Sequence, residues 1–221
     1  MSKVLTMLHT TPVVIKLLGD VAQELVPADV IIRTVVDDSL LNDVRKAGHL
    51  TKEVTRRIVG YAQHAENYGS DCLLLTCSSV GPAADVARQV VNIPVLKIDE
   101  PMAERAVSIG CRISVLATLG TTLLPTRDLI QQAAQRARKQ VDIGTVLLSD
   151  AFEALSRGDV TSHNRLLKES IIREAETSDV VVLAQASMTN ILPDLPRSLD
   201  DKVLTSPRLG FSRVRELLSS L

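Results

Sequence analysis

Aromatic residues make up 2% of this 221-residue chain, and tryptophan is missing altogether. Stacking platforms for bases or sugar rings are therefore scarce. Charge of one sign is lacking too: 25 basic residues stand against 26 acidic ones, a net charge of −1. That leaves no electrostatic basis for binding nucleic acid or an anionic membrane. No apolar run approaches the roughly 18 residues a membrane span needs. The opening stretch MSKVLTMLHTTP is interrupted by Pro12 too early to read as a secretory signal. The only cysteines are Cys72, Cys77 and Cys111, an odd number without CxxC or His–Cys metal spacing. Neither a disulfide framework nor a metal site is expected, and a reduced, cytoplasmic setting is. GxGxxG, a phosphate loop, HExxH and a helix with paired carboxylates are all missing. This argues against nucleotide, NAD and zinc-protease chemistry, and no cofactor is expected.

What is present is a repeat. Residues 4–11 (VLTMLHTT) match 115–122 (VLATLGTT) at five of eight positions, a shift of 111. The same shift aligns 30–35 with 141–146. A shift of 108 then pairs DCLLLTCSS (71–79) with DVVVLAQAS (179–187), and Val95-Leu96 with Val203-Leu204. A fixed-offset repeat reveals architecture. Here it sets Cys77 against Gln185 and His9 against Gly120.

Hydrophobic residues are 45% of the chain, as in a folded globular protein. Short apolar runs at 3–8, 30–36, 72–76 and 95–98 read as strands covered on both faces. Helical periodicity fills 12–25, 52–68 and 82–91 between them. The second copy repeats the order, with strands near 112–117, 142–148, 180–184 and 203–205 and helices near 124–139, 163–177 and 208–220. Such alternation implies parallel sheets with right-handed crossovers. The expected fold is α/β: two pseudo-symmetric, doubly wound parallel-sheet halves with the active site in the cleft between them. The boundary falls at 1–98 and 99–221, with a joining helix over 101–109. The C-terminal helix is free to pack back on the first half. Segment 37–51 reads as a long loop, functional or merely solvated around a short helix.

Ligands of parallel sheets bind outside the carboxyl ends of the strands. Those ends supply His9, Thr10 and Thr11, then Thr76, Cys77, Ser78 and Ser79. The second copy supplies Thr118, Thr121 and Thr122, then Gln185, Ala186 and Ser187. Hydroxyls and backbone amides at helix starts suit a carboxylate, although the same residues also serve as helix caps. Cys77 follows a strand and precedes a helix, where a thiol pKa can fall below its usual value of about 8.5. Cys72 and Cys111 read instead as small buried hydrophobes. Among the histidines only His9 holds a strand end, and it is the candidate proton carrier. His49 and His64 read as surface residues. Asp37 and Asp38 are weaker candidates that can equally cap the next turn.

The LLLTCSSVGP segment around Cys77, the VLATLGTTLLPT segment, Asp99-Glu100-Pro101-Met102 and the duplicated halves resemble the aspartate/glutamate racemase superfamily. Hydantoin racemases, maleate isomerases and arylmalonate decarboxylases belong to it, and the resemblance covers nearly the whole chain. It implies a cofactor-independent enzyme, dimeric or larger, in which cysteines move protons beside the carboxylate of a small acid. Racemases of the superfamily place a second cysteine where this chain has Gln185. An amide cannot titrate, so a symmetric two-thiol mechanism is excluded. The resemblance therefore implies Cys77 as acid/base or nucleophile, Gln185 as an oxyanion donor, and His9 as a candidate second group. Single-thiol decarboxylation, cis–trans isomerisation of a dicarboxylic acid, and binding without catalysis remain open alternatives.

Overall fold

The computed structural model describes residues 2–221, which divide into two compact units. The first comprises residues 2–100 with Pro207–Leu221, and the second Pro101–Ser206.

The first unit runs β1 (Val4–His9), a 3₁₀ turn (Pro12–Val14), α1 (Ile15–Leu25), β2 (Ile31–Val36), α2 (Asp38–Ala47), α3 (Lys52–Asn67), β3 (Cys72–Leu75), a 3₁₀ turn (Ser78–Val80), α4 (Ala83–Ala87) and β4 (Val95–Lys97). The second runs α5 (Glu100–Ile109), β5 (Arg112–Ala117), α6 (Gly120–Arg136), β6 (Asp142–Leu147), α7 (Ser149–Ser156), α8 (Val160–Thr177), β7 (Val180–Leu183), 3₁₀ turns (Ala186–Asp194 and Arg197–Leu199) and β8 (Val203–Thr205). The last helix, α9 (Ser206–Ser220), groups with the first unit from Pro207 onward.

Each unit holds one four-stranded parallel sheet, ordered β2-β1-β3-β4 and β6-β5-β7-β8. The chain winds outward from the central strand in one direction, then returns to continue in the other. Both sheets are thus doubly wound α/β sheets, with a switch point between the first and third strands.

The strand register corrects one part of the sequence alignment. Leu5 pairs with Cys72, and Ile113 pairs with Val180. The first strands are therefore equivalent at a shift of 108, not 111. Val4–His9 corresponds to Arg112–Ala117, so His9 matches Ala117 and Thr10 matches Thr118. Only β2 and β6 keep the shift of 111, because the α6 crossover is three residues longer. The two cores obey the corrected register: Leu8, Leu73, Leu75 and Val95 in one unit, Leu116, Val181, Leu183 and Val203 in the other. A shared polar device obeys it too. Asp71 accepts from Val4 N–H at 2.7 Å, and Asp179 accepts from Arg112 N–H at 2.8 Å. Each carboxylate ties the start of a first strand to the start of a third.

Asp179 also accepts from Cys111 N–H and from the Arg112 guanidinium. The Arg112 and Cys111 hydrogen bonds hold its carboxyl well below its ordinary 3.8. A depressed pKa adds stability above the unfolded value and loses it as pH falls through the folded one. Asp179→Asn is therefore expected to lower the melting temperature at pH 7. The deficit should begin to shrink below about pH 4, where the unfolded parent's carboxylate protonates, and close only as pH falls through the depressed folded value. Thermal melts across that range check both statements.

Several elements differ from the sequence reading. Segment 37–51 is not a loop. It holds α2, capped by Asp37, whose side chain accepts from Ser39 N–H at 3.2 Å, and closed by Gly48 at φ 77°. α7 was not foreseen. α6 starts four residues before 124 and carries Pro125 inside it. β2 and β6 are edge strands, largely exposed rather than covered on both faces. α9 approaches β4 closely: a Cβ on Gly210 would lie 2.6 Å from Ile98 O, so only glycine fits there. No helix among the described residues is long and apolar enough to cross a membrane.

Candidate active site

The switch point of the first unit lies where β1 and β3 end. Their parallel register sets His9 beside Thr76 and Thr10 beside Cys77. Side chains alternate along a strand, and Cys77 itself is extended. Cys77 therefore shares the face of Leu73 and Leu75, packing against their core, while His9 and Thr76 take the opposite face.

The Cys77 thiol is half-buried, and burial pushes its pKa up. The nearby Thr10 and Ser79 hydroxyls and the Ser79 and Val80 N–H groups pull the other way without reversing it. The expected downward shift thus does not occur in the free protein. The reason is local: only a 3₁₀ turn and then the five-residue α4 follow Cys77, too short for a strong helix dipole. The thiol is held as a proton donor, with four groups ready to stabilise a thiolate.

The other cysteines differ from it and from each other. Cys72 is buried, its pKa pushed up to about 12 by burial. Cys111 is exposed, contrary to the expectation that it is buried, because it precedes β5 at the sheet margin. Alkylation by iodoacetamide should rank them: Cys111 fast at pH 7, Cys72 inert, and Cys77 slow until pH rises above its ordinary 9. Peptide mapping by mass spectrometry reads the three sites separately. Labelling of Cys77 as fast as Cys111 at pH 7 would contradict the upward shift.

His9 is fully buried. Its Nδ1 lies 2.8 Å from Thr76 Oγ1, and the Thr76 hydroxyl donates its one proton to Leu8 O at 3.0 Å. The hydroxyl must then accept, so Nδ1 carries the proton and Nε2 is a bare acceptor. Burial lowers the His9 pKa, which keeps the ring neutral. His9 Nε2 and Thr10 Oγ1 are both buried without a hydrogen-bond partner. Such groups cost about 1–3 kcal/mol each when left unpaired.

Thr11 is the cap of the turn Pro12–Val14, accepting weakly from Val13 N–H at 3.4 Å. Asp37 is spent on structure: burial raises its pKa, but hydrogen bonds from Ser39, Tyr61 and Arg57 hold it below its ordinary value. Asp38 is exposed in the first turn of α2, and His49 and His64 are exposed as expected. One residue was missed. Asp99, just past β4, is buried; burial raises its pKa, and its carboxyl is hydrogen-bonded to the Ser78 side chain. Reading the carboxyl end of the fourth strand, as was done for the first and third, would have found it.

In the second unit, Thr118 stands to Gln185 as Thr10 stands to Cys77. Gln185 Oε1 accepts from Thr118 N–H at 2.6 Å and from Thr118 Oγ1 at 2.9 Å. Two donors on one oxygen fix the amide orientation, and the NH₂ group is directed elsewhere as a donor. Thr121 Oγ1 is buried without a partner, and Thr122 is buried in the first turn of α6. Ala186 and Ser187 open the 3₁₀ turn after β7, half-buried.

Duplicated doubly wound sheets, with a cysteine after the third strand of one and threonines after both first strands, narrow the choice of family. The Asp/Glu/Hydantoin racemase family model matches residues 6–214. The chain belongs to this family. No curated protein matches its sequence. Among solved structures, allantoin racemase from Klebsiella pneumoniae is similar at 18% identity and a TM-score of 0.68, covering 99% of this chain and 89% of that one. Picrophilus torridus aspartate racemase gives 15% and 0.69, covering 99% and 94%. Unliganded arylmalonate decarboxylase gives 16% and 0.60, covering 97% and 92%. At these identities the likeness shows a shared fold, and this member of the racemase family carries an amide at Gln185.

Proposed function

We propose that this protein is a cofactor-independent isomerase of racemase or epimerase type that moves a proton at the carbon beside the carboxylate of a small acid or amino acid. The observation that carries the reading is the surrounding of Cys77: a thiol at the switch point with the Thr10 and Ser79 hydroxyls and the Ser79 and Val80 N–H groups close around it. Once the Cys77 thiol has lost its own proton to solvent, the thiolate takes the α-proton: the S–H bond forms as the C–H bond breaks, and the carbon's electron pair moves into the carboxylate to give an enediolate. Return of the proton from Cys77 restores the starting acid, and inversion follows when a proton reaches the opposite face from solvent, since the Gln185 amide cannot supply one. The Gln185 amide, oriented by Thr118, donates to an enediolate oxygen and stabilises charge where it develops. Thr10, beside Cys77, holds a carboxylate oxygen. A second reading, a single-thiol decarboxylase, is favoured by the upward shift of Cys77. A neutral thiol can protonate the carbanion left by departing CO₂.

The test is a screen of small carboxylates in deuterated water, with mass spectrometry of the α-carbon. The isomerase reading expects deuterium at the α-carbon of an acid that loses no carboxylate and otherwise keeps its mass. The decarboxylase reading expects CO₂ release from a malonate-type diacid with one deuterium taken up. A panel of such acids returned unchanged would overturn both.

A further inference from the structure

The His9–Thr76 pair has no counterpart in the second unit. At a shift of 108 the equivalent residues are Ala117 and Ala184, both buried. The same strand ends therefore close over two methyl groups in one unit and over an imidazole and a hydroxyl in the other. Packing alone does not call for the polar pair. Its hydrogen bonds nevertheless fix the ring: Thr76 donates to Leu8 O and accepts from His9 Nδ1, which leaves Nε2 deprotonated, buried and unpartnered. The next residue, Thr10, is also buried with an unpartnered hydroxyl oxygen, and it contacts the Cys77 thiol. An acceptor prepared in this way and left empty suits a donor brought by a ligand.

We propose that His9 is a specificity-determining residue whose Nε2 accepts a hydrogen bond from an uncharged N–H or O–H of the ligand, so that the site takes small carboxylic acids bearing a hydroxyl, amide or ureido group near the reacting carbon. An uncharged donor fits better than an ammonium. A neutral imidazole supplies no countercharge, and a desolvated cation needs one. Asp99, a buried carboxyl of the first unit, is hydrogen-bonded to Ser78 and shifted toward its neutral form. In this role His9 acts as an acceptor through Nε2. The inference rests on the proposed function only in taking the ligand to be a small acid.

The experiment uses the whole protein labelled with ¹⁵N-histidine, titrated with succinate, malate, N-carbamoylaspartate and aspartate. Without ligand, the His9 Nε2 signal should be that of an unprotonated nitrogen and Nδ1 that of a protonated one. Malate and N-carbamoylaspartate should shift Nε2 toward the hydrogen-bonded position, while succinate leaves it in place. They should also bind about tenfold to a hundredfold more tightly than succinate. That preference should vanish in His9→Asn, whose amide can still donate to Thr76 but does not reach as far as Nε2. His9→Ala with Thr76→Ala, the second unit's own arrangement, is the variant to use should His9→Asn fail to fold. The inference is overturned by a protonated Nε2 in the free protein, and by equal binding of succinate and malate. It is overturned also by binding of none of the donor-bearing acids at millimolar concentration, which would mark Nε2 as the site of a bound water only. Tightest binding of aspartate would put an ammonium there instead and overturn the uncharged-donor assignment. α-Deuterium exchange with the Nε2 signal unmoved would defeat this inference and leave the isomerase reading standing. A moving signal without exchange would do the reverse.

Discussion

Cys77→Ser and Cys77→Ala should fold as the parent does and turn over about 10²- to 10⁴-fold more slowly, the range lost when a positioned acid/base is removed. Folding should survive because Cys77 is half-buried at the margin of its core and either side chain fits the space. Chemistry should not survive. The polar groups of Thr10, Ser79 and Val80 beside the sulfur can stabilise a thiolate, but a serine hydroxyl titrates too far above neutral pH to be rescued by them. Circular dichroism melts establish the fold, and deuterium uptake into the acid found by the screen gives the rate. Parent-level uptake in both variants would show that the thiol is incidental.

Gln185→Ala should cost about 10²- to 10³-fold in turnover, the scale of losing one oxyanion donor. Gln185→Glu is the sharper variant. A glutamate can still accept from Thr118 N–H and Oγ1, so the local structure is kept. It replaces the NH₂ donor with a second acceptor, and the loss should equal or exceed that of alanine. If glutamate retained activity while alanine lost it, Gln185 would be acting through its oxygen alone and the donor role would fall. Gln185→Cys adds a second titratable thiol, and α-exchange on the face opposite to that used by the parent is the expected gain. Following each enantiomer separately in deuterated water reads it. A parent that already exchanges both faces at similar rates would require another second base.

Much of the fold was legible because it is local. Continuous apolar runs such as CLLL and VVVL have a strand's length and pattern, and their neighbours have helical spacing. What failed was also local. The polar sequence DDSLLNDVRKAG lacks a long apolar stripe, yet Leu40 and Val44, one turn apart, suffice to dock α2, and Asp37 and Gly48 cap it. The alignment of VLTMLHTT with VLATLGTT was persuasive in letters and wrong by three residues in space. Identity favoured matching Thr-Thr pairs, whereas the register is set by which side chains face the core.

The sequence by itself determined the duplicated α/β architecture, the family, and the residue types at the strand ends, including the amide of Gln185. These follow from composition and short-range pattern, which are one-dimensional. Strand order is not. Only the tertiary structure put β1 next to β3, and so made their ends the switch point and brought Thr10 to Cys77 and Thr118 to Gln185. It also decided the states of the groups: a thiol raised by burial, a glutamine turned by two donors on one oxygen, and a histidine whose tautomer is fixed by where a threonine spends its single proton. Burial and hydrogen-bond direction depend on neighbours about seventy residues apart in the chain, and no local pattern records them.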